Sequence, residues 1–140
     1  MPVRPAIMPC LVYKDAANAM DFLCEAFGFS RHAVHADPDT GAVHHAELTL
    51  DGNVIMLSSA SLHSRERFSM APIGETGGMA PMCICVVLND PDAHHRRAVT
   101  AGATIIAPPH DNDYGGRSYE AKDCEGIAWS FGSYDPFAVN

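Results

Sequence analysis

The chain has 140 residues, a hydrophobic fraction of 47% and 17 acidic against 9 basic side chains, for a formal net charge of −8. That length fits one domain or two small modules sharing a core, and the apolar fraction is that of a globular protein rather than a disordered one. The acidic balance excludes nucleic acid as a partner, because phosphate binding needs a basic footprint, and the lack of a run of about 18 apolar residues excludes a membrane-spanning helix.

In chain order, residues 6–13 form a short apolar run that predicts a strand. Asp15 follows where a helix N-cap is wanted. Ala16, Ala19, Met20, Leu23, Ala26 and Phe27 then recur at three- and four-residue spacing, the pattern of one buried helical face. Gly28 ends the helix. Residues 30–36 read as a weak strand and Asp37-Pro38-Asp39-Thr40-Gly41 as a turn. Residues 42–50 and 54–58 read as two strands joined by a tight turn at Asp51-Gly52-Asn53. Residues 59–81 break the pattern with Ser, Gly, Met and Pro, and are expected to be a connector and surface loop. The order then returns: a strand at 82–88, a helix capped by Asn89 or Asp90 with Pro91 near its first position, Gly102 at its end, a strand at 103–107 and a loop at 108–113.

The last strand pair organises the rest. Gly115 and Gly116 open it, and glycine pairs at a strand start mark a bulge or a close backbone approach. Arg117, Tyr119 and Ala121 share one face by alternation. Asp123-Cys124-Glu125-Gly126 is turn chemistry. In the final strand Ile127, Trp129 and Phe131 make a large apolar face suited to a helix, while Ala128, Ser130 and Gly132 make a small, polar one suited to a floor. Asp15 and Asp90 lie 75 positions apart, and Gly52 and Gly126 lie 74 apart. Both halves read strand-helix-strand-strand-strand, an internal repeat. The expected fold is α+β: two βαβββ modules, residues 6–58 and 82–134, forming a curved eight-stranded mixed sheet (a cup) with helices on its outer face, in a single domain with residues 59–81 as connector.

The duplication, Ala26-Phe27-Gly28-Phe29 at the first helix end, Tyr114-Gly115-Gly116-Arg117, Asp123-Cys124-Glu125-Gly126 and Trp129-Ser130-Phe131-Gly132 together resemble the vicinal oxygen chelate superfamily. That superfamily includes glyoxalase I, bleomycin resistance proteins and extradiol dioxygenases; the nearest branch is the PhnB-like one. The resemblance implies four ligand positions on the first and last strands of the modules, carried here by Met8, Met56, Cys83 and Ser130. Metal-using members fill them with His, Gln or Glu. Two thioethers, a thiol and a hydroxyl are a poor set for a divalent metal that wants imidazole and carboxylate, so no metal cofactor is expected at the usual positions. A metal held by other ligands, such as His35, His44, His45 and Glu47, is the alternative. The resemblance also implies a homodimer.

Other candidates come from alternation. His45 and Glu47 share a face of their strand and serve as base and orienter, as two metal ligands, or as residues of a solvent-facing sheet edge. The repeat at one offset puts Tyr119 in the place that His45 holds and Arg117 in that of Val43, so Val43, His45, Glu47 and Thr49 are expected on one wall of the cup and Arg117 and Tyr119 on the other. Arg117 either holds an anionic ligand through its planar fork or pairs with Glu47. His32, His35, His44 and His45 fall on one hairpin and His94-His95 on the second helix; both groups read as mostly solvated. The five cysteines, none in Cys-x-x-Cys spacing, are expected to be reduced and buried as small apolar residues. Met1-Pro2-Val3-Arg4-Pro5 has no apolar signal segment, so the expected compartment is the cytoplasm. Two functions follow: a protein that binds and sequesters a small molecule in the cup, or a lyase or isomerase using His45, Glu47, Arg117 or Tyr119.

Overall fold

The computed structural model describes residues 1–138. Two βαβββ modules follow one another. The first holds β1 (Cys10–Tyr13), α1 (Ala16–Phe27), β2 (Ser30–Ala36), β3 (Val43–Leu50) and β4 (Asn53–Ser59). The second holds β5 (Ile84–Val87), α3 (Pro91–Thr100), β6 (Thr104–Asp111), β7 (Arg117–Lys122) and β8 (Ala128–Gly132). Each forms a four-stranded mixed sheet, β1-β4-β3-β2 and β5-β8-β7-β6, with its first strand parallel to its last.

The caps form where the sequence put them. Asp15 accepts from the Asn18 backbone N–H and Asp90 from that of Ala93, with Pro91 in the first turn of α3. Gly28 takes the left-handed conformation past α1 at φ +85°, which an L-residue adopts only at a cost. The apolar stripe of α1 is buried as its spacing requires. Leu23 and Phe27 are fully enclosed, and each is worth about 1.5–3 kcal/mol over exposure.

Three expectations are corrected. The connector is not loop throughout: Leu62–Phe68 is a helix, α2, followed by a 3-10 turn at Ile73–Glu75. Ser61 and Ser64 cap α2 reciprocally, a signal hidden by a helix too short to show periodicity. The strand expected to stop at 107 runs on to Asp111 through Pro108 and Pro109. Prolines are tolerated there because β6 is an edge strand and its register shifts between Ala107 and His110. Finally, the cysteines are free but not buried: Cys10, Cys83, Cys85 and Cys124 are exposed and Cys24 is half-buried.

The modules share one core. Ala46, Leu48, Ile55 and Leu57 of the first sheet belong to the same buried cluster as Ile84, Tyr119, Ala121, Trp129 and Phe131 of the second. Phe27 of α1 lies 4.7 Å from the Phe131 ring and 5.4 Å from Trp129, centroid to centroid. Polar ties reinforce the seam. The Arg97 side chain of α3 donates to the Glu25 and Cys24 carbonyls at 2.8 and 3.0 Å, partners that the last turn of α1 lacks within itself. His94 Nε2 donates to the Phe27 carbonyl at 2.8 Å, which leaves Nδ1 to accept from the Tyr119 hydroxyl. Both sheets thus turn their helix-bearing sides to one core, and their other sides are open. Among the described residues no helix is long and apolar enough to cross a membrane.

His94 makes the seam sensitive to acid. Burial holds its pKa below the ordinary 6.5. In the window between the two values the unfolded chain binds the extra proton and the folded one does not, so stability rises with pH there. The His94 contribution is complete above about pH 6.5 and is lost as pH falls through the lowered folded value. Urea unfolding from pH 7.5 to 5 should show falling stability with a shallower slope in His94→Gln. An equal slope in both proteins would refute the assignment.

Candidate functional site

Strand register decides which side chains reach the open faces, because paired residues project to the same side of a sheet. In module 1, Cys10 pairs with Met56, Met56 with Glu47, and Glu47 with Ala33. In module 2, Cys85 pairs with Ser130, Ser130 with Glu120, and Glu120 with Ala107. These two rows cross the middle of the open faces and correspond to each other.

Met56 and Ser130 therefore stand where the sequence placed them, on the last strand of each module and on its open side. Met8 and Cys83 precede β1 and β5 and belong to no strand. The residues that pair with Met56 and Ser130 are Cys10 and Cys85, two positions further on. Cys83 instead lines a shallow hollow with Met82, Lys122, Gly126 and Ala128.

His45 and Glu47 are on the open face of module 1. His45 Nε2 lies 2.8 Å from Glu47 Oε2, and His32 Nε2 is 3.9 Å from Oε1. The hydrogen bond from His45 lowers the Glu47 pKa, against a smaller opposing effect of desolvation. His35 stacks on His45 with ring centroids 6.2 Å apart.

Arg117 and Tyr119 are on the other side of their sheet. Tyr119 pairs with Phe131, has no exposed surface, and packs in the core against that ring. Burial lifts its pKa far above the ordinary phenol value. Arg117 does not meet Glu47. Its Nε and Nη2 donate to the two carboxylate oxygens of Asp92 in α3 at 2.8 and 3.2 Å, and its Nη1 donates to Asp111 at 3.2 Å. Asp92 is held below its usual carboxylate range chiefly by that hydrogen bond.

The reason is a hairpin of different length. Leu50 pairs with Asn53, leaving two residues in the β3–β4 loop, whereas Lys122 pairs with Ala128, leaving five in the β7–β8 loop. The extra residue beyond an even difference shifts the correspondence on β7 by one, and a one-residue slip moves every side chain to the opposite face. Glu47 therefore corresponds to Glu120, not to Ala121 or the residues in step with it. The open face of β7 carries Ser118, Glu120 and Lys122. Glu120 and its neighbour His110 were not singled out in the sequence; the unequal hairpin loops were the signal that would have found them.

The first and last strands of the modules, where the resemblance implies ligand positions, carry Cys10, Met56, Cys85 and Ser130 at their paired central positions. Thiol, thioether, thiol and hydroxyl do not fit a hard divalent ion, which wants oxygen and imidazole donors. Among the described residues no group of three or more His, Cys, Asp or Glu side chains is arranged to hold a metal ion. The surface does offer hollows. One of about 180 Å³ lies on module 2 among Cys85, Val87, Tyr114, Ser118, Ser130 and Tyr134. A larger one of about 330 Å³ lies at the seam, where Phe68, Met70, Ile73 and Met79 of the connector and Met82 just before β5 face Leu11, Ile84 and Ile127.

Comparison with known proteins agrees with this architecture. A Mycobacterium bovis protein described as uncharacterized is 35% identical over 130 residues, 93% of this chain and 84% of its own. The crystal structure of TioX from Micromonospora sp. ML1 superposes with a TM-score of 0.69 at 28% identity, over 97% of this chain and all of that one. The PhnB protein of Bacillus cereus superposes with a TM-score of 0.62 at 18% identity, over 91% of this chain and 98% of its own, a likeness of fold. The model of one family matches residues 6–131, and the chain belongs to that family, the Glyoxalase/Bleomycin resistance protein/Dioxygenase superfamily.

Proposed function

We propose that the protein binds a small molecule and holds it, without a metal and without turning it over, in a crevice walled by the open sheet faces of a homodimer. The carrying observation is the row Cys10–Met56 and Cys85–Ser130: the central strand-paired positions of both faces carry soft or neutral side chains, a poor donor set for a hard divalent ion. A mostly apolar floor with a few polar groups, here His45, Glu47 and Glu120, is the general form of a small-molecule site. In one chain the helix-bearing sides share the core, so the open faces look outward and each supplies one wall. A second copy closes the crevice, module 1 of one protomer against module 2 of its partner. The edges of β1 and β5, with exposed Met82 just before β5 and exposed Val87 at its end, are then covered. Such a protein works in the cytoplasm by sequestering a toxic or antibiotic compound.

The test is an NMR titration with a library of uncharged aromatic fragments, alongside light scattering. A dimer is expected at micromolar concentration, with amide shifts gathered on β3, β4, β7 and β8. A monomer, or shifts confined to α1 and α3, would overturn the proposal. A second reading, a lyase or isomerase acting on a small oxygenated substrate, draws on the 2.8 Å His45–Glu47 contact, a base with its orienting carboxylate. The two readings part at mass spectrometry of the bound molecule: recovered intact under the first, converted under the second.

A further inference from the structure

We infer that Glu120 anchors a cationic nitrogen group, an amidine or a protonated amine, of the molecule received by the open face of module 2. This deepens the small-molecule reading above and rests on it.

The repeat supplies the first observation. Glu47 and Glu120 occupy corresponding places, each across from the central residue of the last strand. Glu47 has its partner, because the residue two before it is His45, 2.8 Å away. Two before Glu120 stands Ser118. Its hydroxyl is engaged with the Asn112 side-chain amide, within 3.0 Å of Nδ2 and 3.2 Å of Oδ1. Module 2 thus keeps the carboxylate and lacks the donor.

The second observation is the carboxylate itself. Glu120 Oε2 is sheltered from solvent and has no hydrogen-bond partner. A sheltered acceptor left unpaired is uncommon in folded proteins and costs free energy until a donor arrives. The nearest candidate does not serve. His110 Nε2 is 3.8 Å from Oε1, beyond hydrogen-bond range, and His110 Nδ1 lies 2.8 Å from the Pro108 carbonyl. That carbonyl can only accept, so Nδ1 is committed to it as a donor. Arg117, three positions earlier, is on the opposite face with Asp92 and Asp111. Lys122 shares the face but is exposed and borders the hollow by Met79 and Ala128.

The third observation is room. The 180 Å³ hollow on this face has Ser118 and Ser130 in its wall, the residues two before and across from Glu120; Glu120 itself is not part of that wall, and its side chain is 30% exposed next to it in the register. Tyr114 and Tyr134 flank it, 5.1 Å apart edge to face. That volume suits a group on the order of one aromatic ring, and the rings offer faces to a cation. An amidinium presents two parallel N–H donors, the fork that a carboxylate accepts from best. An anionic group meets Glu120 with like charge.

The test compares benzamidine with benzoate, matched in size and opposite in charge, by amide NMR titration of the unaltered 140-residue protein and of Glu120→Gln. Expected are saturable shifts at Ser118, Ser130 and Gly132 with benzamidine, none there with benzoate, and at least a tenfold weaker benzamidine affinity in Glu120→Gln. Benzoate binding as tightly as benzamidine at these amides sinks the anchor and leaves the crevice reading standing. Benzamidine without effect on these amides sinks the anchor too, and the uncharged fragments then judge the crevice separately. Undiminished benzamidine affinity in Glu120→Gln also refutes it. So does a loss of dimer in that variant, which would assign the carboxylate to the interface. The wild-type comparison of the two probes decides the matter even if the variant fails to fold.

Discussion

Asp123→Ala should lower the unfolding free energy by about 3–4 kcal/mol, an effect expected of a dismantled buried hydrogen-bond network rather than of one lost contact. The Asp123 side chain is 5% exposed and accepts five hydrogen bonds. Oδ1 takes the backbone N–H groups of Glu125, Gly126 and Ile127 at 3.0–3.1 Å, closing the β7–β8 loop. Oδ2 takes the Tyr13 hydroxyl at 2.6 Å and the Trp129 indole at 3.1 Å. Tyr13 belongs to module 1, so one carboxylate shapes a turn in one module and ties it to the other. Alanine would strand these donors, two of them on fully buried rings. Tyr13→Phe removes one bond only and should lose about 1–2 kcal/mol. Urea unfolding at pH 7 measures both. A loss under 1 kcal/mol in Asp123→Ala would mean that water replaces the carboxylate readily and the network is incidental.

The second large effect is expected at Gly116. Its φ is +72°, and a Cβ built there would lie 2.5 Å from the Tyr134 nitrogen and 2.9 Å from its Cα. Those are main-chain atoms that no rotamer change can move. Gly116→Ala adds left-handed strain to that collision and should cost about 3 kcal/mol or more. Gly115→Ala separates the two causes. It also has positive φ, +114°, but its nearest neighbour would be 3.8 Å away, so it should lose only the conformational share. The consequence reaches the open face, since Tyr134 borders the hollow beside Ser118 and Ser130. Gly116→Ala should displace the Tyr134 amide resonance and unfold at lower temperature than Gly115→Ala. Equal melting temperatures for the two variants would remove the close approach from the explanation.

Much of the fold was legible because its signals are local. Asp15, Gly28 and Asp90 punctuate helices by themselves, and Trp129 and Phe131 announce a buried face by alternation. The repeat was legible for the same reason, its markers being caps and turn glycines. What it could not convey was register, which depends on loops that differ between the modules. Gly52 and Gly126 correspond as turn residues, yet the loops around them hold two and five residues. That inequality is why Met56, Ser130, His45 and Glu47 were placed on open faces while Arg117 and Tyr119 were assigned to a face they do not occupy. The Glu120 carboxylate lies in the blind spot created by the same slip. The prolines of β6 misled differently: breaker residues end interior strands, and nothing local told that β6 lies at an edge.

The shared core bears on how the chain acquires its shape. Phe27 belongs to the first helix by sequence but rests on Phe131 and Trp129 of the last strand, more than a hundred residues later. Neither half of the chain can complete its interior before the other is present. The first module, leaving the ribosome alone, would carry Phe27 and the carbonyls of its helix end uncovered until the final strand emerged. The two halves should therefore melt as one cooperative unit despite their twofold likeness. A backbone cut within residues 59–81 should yield fragments that are unstructured apart and regain order only when mixed.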